Sequence, residues 1–275
     1  MTTERRAGGE AVRRVDRHAS MGDQGGLVTW RVNDGVALLT LNDPARRNAL
    51  STALSRDLAR AVTSALSFDV GAIVLTAAPP VFSAGGDLDA LSLKPVPLDE
   101  LYEGFLALAD AAVPTLAVVD GPAVGAGLNF ALACDVVLTT PRAVIDPRFI
   151  DVGMHPGGGH LWRLDRRIGR QGTAALVLFG KRLSGQEAVT HGLAWECWPS
   201  EDVLDVAMQM AGTAASRDRS LLVRTKATMR AGDAMTTAGD AVAAEREAQQ
   251  WAVSRPEFGR HLEAIKARVD QEPRS

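Results

Sequence analysis

Two segments of this 275-residue chain carry residue types that can bring main-chain amides to a ligand: Phe82-Ser83-Ala84-Gly85-Gly86-Asp87-Leu88 and Asp120-Gly121-Pro122-Ala123-Val124-Gly125-Ala126-Gly127-Leu128-Asn129. Each follows a short apolar run. Small residues at a strand-to-helix turn let backbone N–H groups approach a polarised oxygen closely. Taken singly, either segment is equally well a tight turn packed under a helix. Proton-transfer chemistry needs titratable groups as well. The nearby candidates are Asp87, Asp146, Asp151, His155 and His160, with His191 and Cys134 farther along in type or position. Histidine suits acid/base work because its ordinary pKa lies near 6.5.

Several familiar glycine sites do not fit. A dinucleotide fingerprint through Gly125 and Gly127 requires glycine at 130, where Phe130 stands. The spacing Gly121, Gly125, Gly127 also suits a short-chain dehydrogenase, but that chemistry needs a Tyr with Lys four residues on. The sole tyrosine is Tyr102, and position 106 is Leu106. No glycine-lysine-Ser/Thr run makes a phosphate loop, and a nucleophile elbow centred on Ser83 fails at Val81.

Composition narrows the class further. With 46% apolar and 23% charged residues the chain is globular rather than disordered. A net charge of −3 makes it a poor general nucleic-acid binder. The longest uncharged stretch, residues 70–86, contains Pro79-Pro80 and is not expected to span a membrane. Two cysteines, Cys134 and Cys197, give neither a disulfide scaffold nor a zinc site and suit a cytoplasmic protein.

The elements that must position the glycine segments read as α/β. Residues 1–25, with five arginines and no apolar core of a signal peptide, are expected to be a disordered extension, order beginning at Leu27. Residues 27–32 and 36–41 read as strands joined by the turn Asn33-Asp34-Gly35. Leu50, Leu54, Leu58, Val62 and Leu66 mark a helix capped by Ser51. Residues 72–76, 115–119 and 135–139 read as buried strands, with a helix at about 127–133. Ser184 and Glu187 form a capping box for a helix that Gly192 can end. Helices are expected at 202–214, 219–231, 234–253 and 255–269. This divides the chain into an extension (1–25), a core (26–201) and a C-terminal helical region (202–275).

Taken together the motifs resemble the crotonase (enoyl-CoA hydratase/isomerase) superfamily. Asn42-Asp43-Pro44-Ala45-Arg46-Arg47-Asn48-Ala49-Leu50-Ser51 looks like its opening motif, and residues 82–88 and 120–135 like its two oxyanion-hole loops. Gly153-Met154-His155-Pro156-Gly157-Gly158-Gly159 and Arg182-Leu183-Ser184-Gly185-Gln186-Glu187-Ala188 complete the order, from about residue 27 to 265. The resemblance implies a spiral of ββα units with a C-terminal helical trimerisation region, forming a homotrimer or a dimer of trimers. It also implies an acyl-CoA thioester as ligand, with coenzyme A as part of the substrate and no metal or further cofactor. The Gly86 and Ala126 N–H groups would then form the oxyanion hole. Arg47, Ala49, Ala84, Gly85, Asp87, Leu88, Gly125 and Phe149 would lie against the substrate, Asp87 also capping the next helix. Arg46, Arg47 and Lys266 are candidates for the CoA phosphates.

One departure decides the chemistry to expect. Hydratases of the family use two glutamates, which here fall on Asn129 and Phe149. Asparagine orients water but neither takes nor gives a proton at neutral pH. Standard hydration of a 2-enoyl-CoA is therefore not expected. His155, in the Pro-Gly loop, is the replacement candidate, with Asp151 and Asp146 behind it. His160 and His191 read as structural or exposed, and Cys134 as packed. The alternative is a protein of the same fold that binds acyl-CoA without turning it over.

Overall fold

The structure is a computed structural model describing residues 21–23, 25–92 and 95–271. The expected extension therefore lies largely outside the described residues. Strand pairing nevertheless starts before Leu27. Met21–Asp23 (β1) pairs antiparallel with Val28–Asn33 (β2), a register carried by backbone bonds that no apolar pattern announces. Strand β2 turns into Val36–Leu41 (β3) through Asp34 (φ 48°) and Gly35 (φ 77°). A two-residue hairpin loop of type I′ needs both angles positive.

Helix α1 (Thr52–Leu66) starts where expected, Ser51 Oγ accepting from Leu54 N–H at 3.1 Å. Then follow β4 (Ala72–Ala77), α2 (Leu88–Ser92), α3 (Leu98–Asp110), β5 (Thr115–Val119), β6 (Pro122–Val124), α4 (Leu128–Leu132), β7 (Val136–Thr139), β8 (Val144–Asp146) and α5 (His160–Val177). The chain continues through β9 (Leu183–Ser184), α6 (Gly185–Thr190), β10 (Glu196–Cys197), α7 (Val203–Ala215), α8 (Arg219–Gly232), α9 (Ala238–Val253) and α10 (Pro256–Gln271). The capping box of α6 is present in both directions. Helix α3 was not expected. Its buried Leu101, Phe105 and Leu108 do recur at i, i+4 and i+7, and it packs on α1.

The large sheet has the order β1-β2-β3-β4-β5-β7-β10, parallel from β3 to β10. Alternation along β3 serves both faces. Ala37, Leu39 and Leu41 join the main core with α1 and α3. Val36 and Leu38 meet Val203, Ala207 and Ala211 of α7 on the other. Helix α7 thus belongs with the sheet it covers, and a division at residue 202 would cut it away. Helix α8 is tied in by Lys226, a buried ammonium that donates to Val113 O at 2.7 Å and to Asp135 Oδ2 at 2.5 Å. Helix α9 has no buried residue, and the described side chains of α10 are likewise not buried.

A second, small sheet of β6, β8 and β9 carries the functional loops. Two further parallel bridges extend it, Ser83 beside Ala123 and Leu50 beside Gly86. The opening motif and both glycine segments are therefore neighbouring rungs of one ladder. Among the described residues no helix is long and apolar enough to cross a membrane.

Candidate active site

Asn48 builds the frame. It is fully buried at φ 53°, a left-handed conformation that asparagine tolerates better than most side chains. Its Oδ1 accepts from Asp43 N–H at 2.8 Å, and its Nδ2 donates to Ala78 O and Val81 O at 2.8 and 2.9 Å. Its own carbonyl accepts from Ser83 Oγ at 2.6 Å. Ser83 in turn exchanges backbone bonds with Pro122 and Val124, which fixes the first glycine segment to the second. A Cβ at Gly127 would sit 2.3 Å from Ser83 Oγ, so that contact admits only glycine. We expect Asn48→Ala to lower stability by about 1–3 kcal/mol for each buried group it leaves unpaired. Urea unfolding would check this; a variant as stable as wild type would show that the frame is dispensable.

The two amides singled out from the sequence lie on loops that touch. Leu50 donates to Gly85 O and accepts from Asp87 N–H, so in this parallel pairing the Gly86 N–H points away from Leu50. Ala126 lies in a 3-10 turn that leads into α4. No described residue accepts from either amide, and both residues are only partly buried. The loops touch here: a Cβ on Gly85, at φ 102°, would meet Val124 O at 3.0 Å and Ala126 N at 4.0 Å. Two unpaired donors from separate loops, held by a ladder, form an arrangement suited to a developing oxyanion.

Asp87 is a cap, as expected, its Oδ1 accepting from Ala90 N–H at 3.0 Å. Its other oxygen meets Arg46 Nη1 at 3.3 Å. Among the other substrate-side candidates, Ala49 and Gly125 are buried, Ala84 is half-buried, and Arg47 and Leu88 are exposed. Lys266 is exposed on α10.

Asn129 and Phe149, the positions to which the resemblance assigns the acid/base groups, belong to a closed cluster. Asn129, buried on α4, donates from Nδ2 to Gly157 O at 3.2 Å. A carbonyl only accepts, so this bond fixes which way the amide faces. Asn129 Oδ1 then faces His160 Nδ1 at 2.9 Å, and Nδ1 must carry the proton. His160 Nε2 is left as a bare lone pair, buried and without a partner among the described residues. Burial, reinforced by Arg163, pushes the His160 pKa down to about 4, so the ring is neutral near pH 7. Phe149 packs edge-on against the ring, centroids 4.9 Å apart. An unmet buried acceptor costs about 1–3 kcal/mol unless a ligand or water meets it.

The groups considered as replacements are not brought there. His155 is exposed, its Nδ1 bonded to Pro156 O at 2.7 Å. It lines a groove of about 700 Å³ with Ile150, Met154, Trp162 and Leu178, whose lining includes neither Gly86 nor Ala126. Asp151 is exposed, and Asp146 is buried between Arg148 and Arg182. Cys134 is packed, and burial raises its thiol to about 12. His191 is exposed. His160, expected to be structural or exposed, is buried in contact with both Asn129 and Phe149.

Residues 31–266 match the family model described as enoyl-CoA hydratase/isomerase. The chain is 43% identical over 210 residues to the probable enoyl-CoA hydratase EchA14 of Mycobacterium tuberculosis, covering 74% of this chain and 81% of that one.

The chain belongs to the enoyl-CoA hydratase/isomerase family.

It is also 34% identical over 199 residues to the 2,3-dehydroadipyl-CoA hydratase of Escherichia coli, covering 71% of this chain and 78% of that protein. An enoyl-CoA hydratase structure from Polaromonas sp. JS666 superposes with a TM-score of 0.81 at 27% identity, over 88% of this chain and 97% of that one. A Thermobifida fusca YX structure in complex with acetoacetyl-CoA gives 0.75 at 25% identity, over 82% and 94%. The spiral expected from the motifs is thus the fold of this enoyl-CoA hydratase/isomerase family member. Sequence reasoning left out Asn48 as the frame and His160 as the partner of Asn129. The glycine run 157–159 immediately before His160 was the available signal, since such a run lets backbone and a neighbouring ring come close.

Proposed function

We propose that the chain binds an acyl-CoA thioester with its carbonyl oxygen between the N–H groups of Gly86 and Ala126, and stabilises the enolate formed when the α-proton leaves. The observation that carries this is a pair of amides without an acceptor among the described residues, on two glycine segments tied together by the Ser83–Ala123 bridge. The acetoacetyl-CoA complex of the Thermobifida fusca relative supports the choice of ligand. Ala84, Gly85, Gly125 and Leu88 flank the amides in sequence and line the acyl and thioester end. Arg47, exposed and beside Ala49, serves the CoA end. Hydration of a 2-enoyl-CoA is not its reaction, because Asn129 and Phe149 occupy the acid/base positions.

The functional unit is a homotrimer or a dimer of trimers. Among the described residues, helices α9 and α10 have no buried side chain, and Trp162, Leu178 and Phe179 stand exposed beside the 700 Å³ groove. Apolar surface of that extent calls for a covering partner. Light scattering combined with calorimetric titration of 3-butenoyl-CoA tests both halves. A trimer or hexamer that binds the thioester is expected. A monomer at micromolar concentration would remove the assembly, and no heat of binding would remove the ligand.

Binding without turnover is the second reading. It is favoured by the fact that both polar atoms of Asn129 are already engaged, with Gly157 and His160.

A further inference from the structure

We propose that His160 Nε2 is the proton-carrying group of this site, held for that task by Asn129. The proposal rests on the acyl-CoA reading above. Three features carry it. First, the Asn129 amide, fixed by Gly157 O, forces the proton onto His160 Nδ1 and leaves Nε2 as the acceptor. Second, that acceptor is buried and unpartnered among the described residues, in a ring that is 1% exposed. Third, Asn129 lies three residues after Ala126, so the turn that carries the oxyanion donor leads directly into the short helix that holds the partner of His160. A nitrogen base thereby stands in the region that the two family carboxylates would occupy.

The step balances without a co-reactant. Nε2 takes the proton from the α-carbon of the thioester. The C–H electron pair becomes the enolate, whose oxygen is held by the Gly86 and Ala126 N–H groups. The imidazolium so formed keeps its Nδ1–H on Asn129 Oδ1. The proton then returns to the same carbon, which appears as exchange, or to the γ-carbon of a 3-enoyl thioester, which moves the double bond into conjugation. The substrate class is therefore an acyl-CoA with an acidified α-proton, and the reaction class is proton transfer rather than addition of water.

The charge acting on the ring is Arg163, on its own helix; α4 and the segment before the glycine run present Asn129 and Phe149, neither of them titratable. The neutral ring is the working form, so activity should rise through about pH 4 and stay level above it. The sign follows from the mechanism: the base is lost as pH falls through its pKa.

The experiment incubates the full-length protein with 3-butenoyl-CoA in D2O and follows deuterium at the α-carbon and conversion to 2-butenoyl-CoA, with binding measured separately by calorimetry. Wild type is expected to exchange. His160→Gln should bind the thioester but lose about 10²–10⁴-fold in exchange. Asn129→Asp supplies a negative partner that favours the imidazolium, so its pH inflection should move upward. Binding by wild type with no exchange overturns the proposal and leaves the binding reading intact. Exchange by His160→Gln at the wild-type rate, or an unmoved inflection in Asn129→Asp, overturns it also. Absence of thioester binding by wild type overturns both.

Discussion

Wild-type protein is expected to hydrate crotonyl-CoA far below the roughly 1–10³ per second of ordinary enzymes. A positioned acid or base typically contributes about 10²–10⁴-fold, and the two positions to which the resemblance assigns them hold Asn129 and Phe149. Neither can be recruited by a small movement. Asn129 is bonded on one side to Gly157 O and on the other to His160, and Phe149 presents a ring edge. The neighbouring carboxylates are also out of play, Asp146 between two arginines and Asp151 at the surface. Loss of crotonyl-CoA absorbance gives the rate directly. Turnover in the ordinary range would mean that a group outside this cluster activates water. Restoring glutamate at 129 and 149 together is not expected to rescue hydration. A carboxylate at 149 would be buried against the His160 ring, where an unpaired charge is costly.

The second large effect is expected from Gly86→Pro. Proline removes the amide hydrogen and sets a ring carbon where it pointed, but breaks no bond of the local ladder, because Leu50 uses Gly85 O and Asp87 N–H instead. A Cβ at 86 meets only the end of the Leu91 side chain, at 2.9 Å, which can turn aside. The fold should therefore survive while one of two oxyanion donors is lost. Proton transfer on 3-butenoyl-CoA should fall about 10²–10³-fold, the usual consequence of deleting one such donor. A variant with an unchanged melting profile and an unchanged rate would reject Gly86 as a donor.

Local signals carried much of the fold. The Asp34-Gly35 turn, the Ser51 cap and the Ser184–Glu187 box are each decided within four residues, and the structure shows all three. The buried strands β4, β5 and β7 were legible because a parallel strand covered on both faces must be apolar throughout. Strand β1 was not, since Met21-Gly22-Asp23 carries no apolar alternation to announce its pairing with β2. The packing of α7 on the sheet was not legible for a related reason. The small residues Ala207 and Ala211 of α7 read as an ordinary helix, and only the sheet face shows that they are packed against Val36 and Leu38.

In the site, Gly86 and Ala126 were picked out through loop motifs, and neither amide has an acceptor among the described residues. The Asn129–His160 pair spans 31 positions and depends on how α5 begins against α4, which no local pattern encodes. Asn48 was quoted as part of a motif, yet its role as the joint between three loops is visible only once Ala78, Val81 and Ser83 surround it.

The most direct measurement is a crystal structure of the protein with a bound acyl-CoA. The thioester oxygen is expected within hydrogen-bond reach, about 2.7–3.2 Å, of both Gly86 N and Ala126 N. A thioester seated instead in the groove of His155 and Trp162, or with its oxygen beyond reach of either amide, would contradict the assignment of the oxyanion hole.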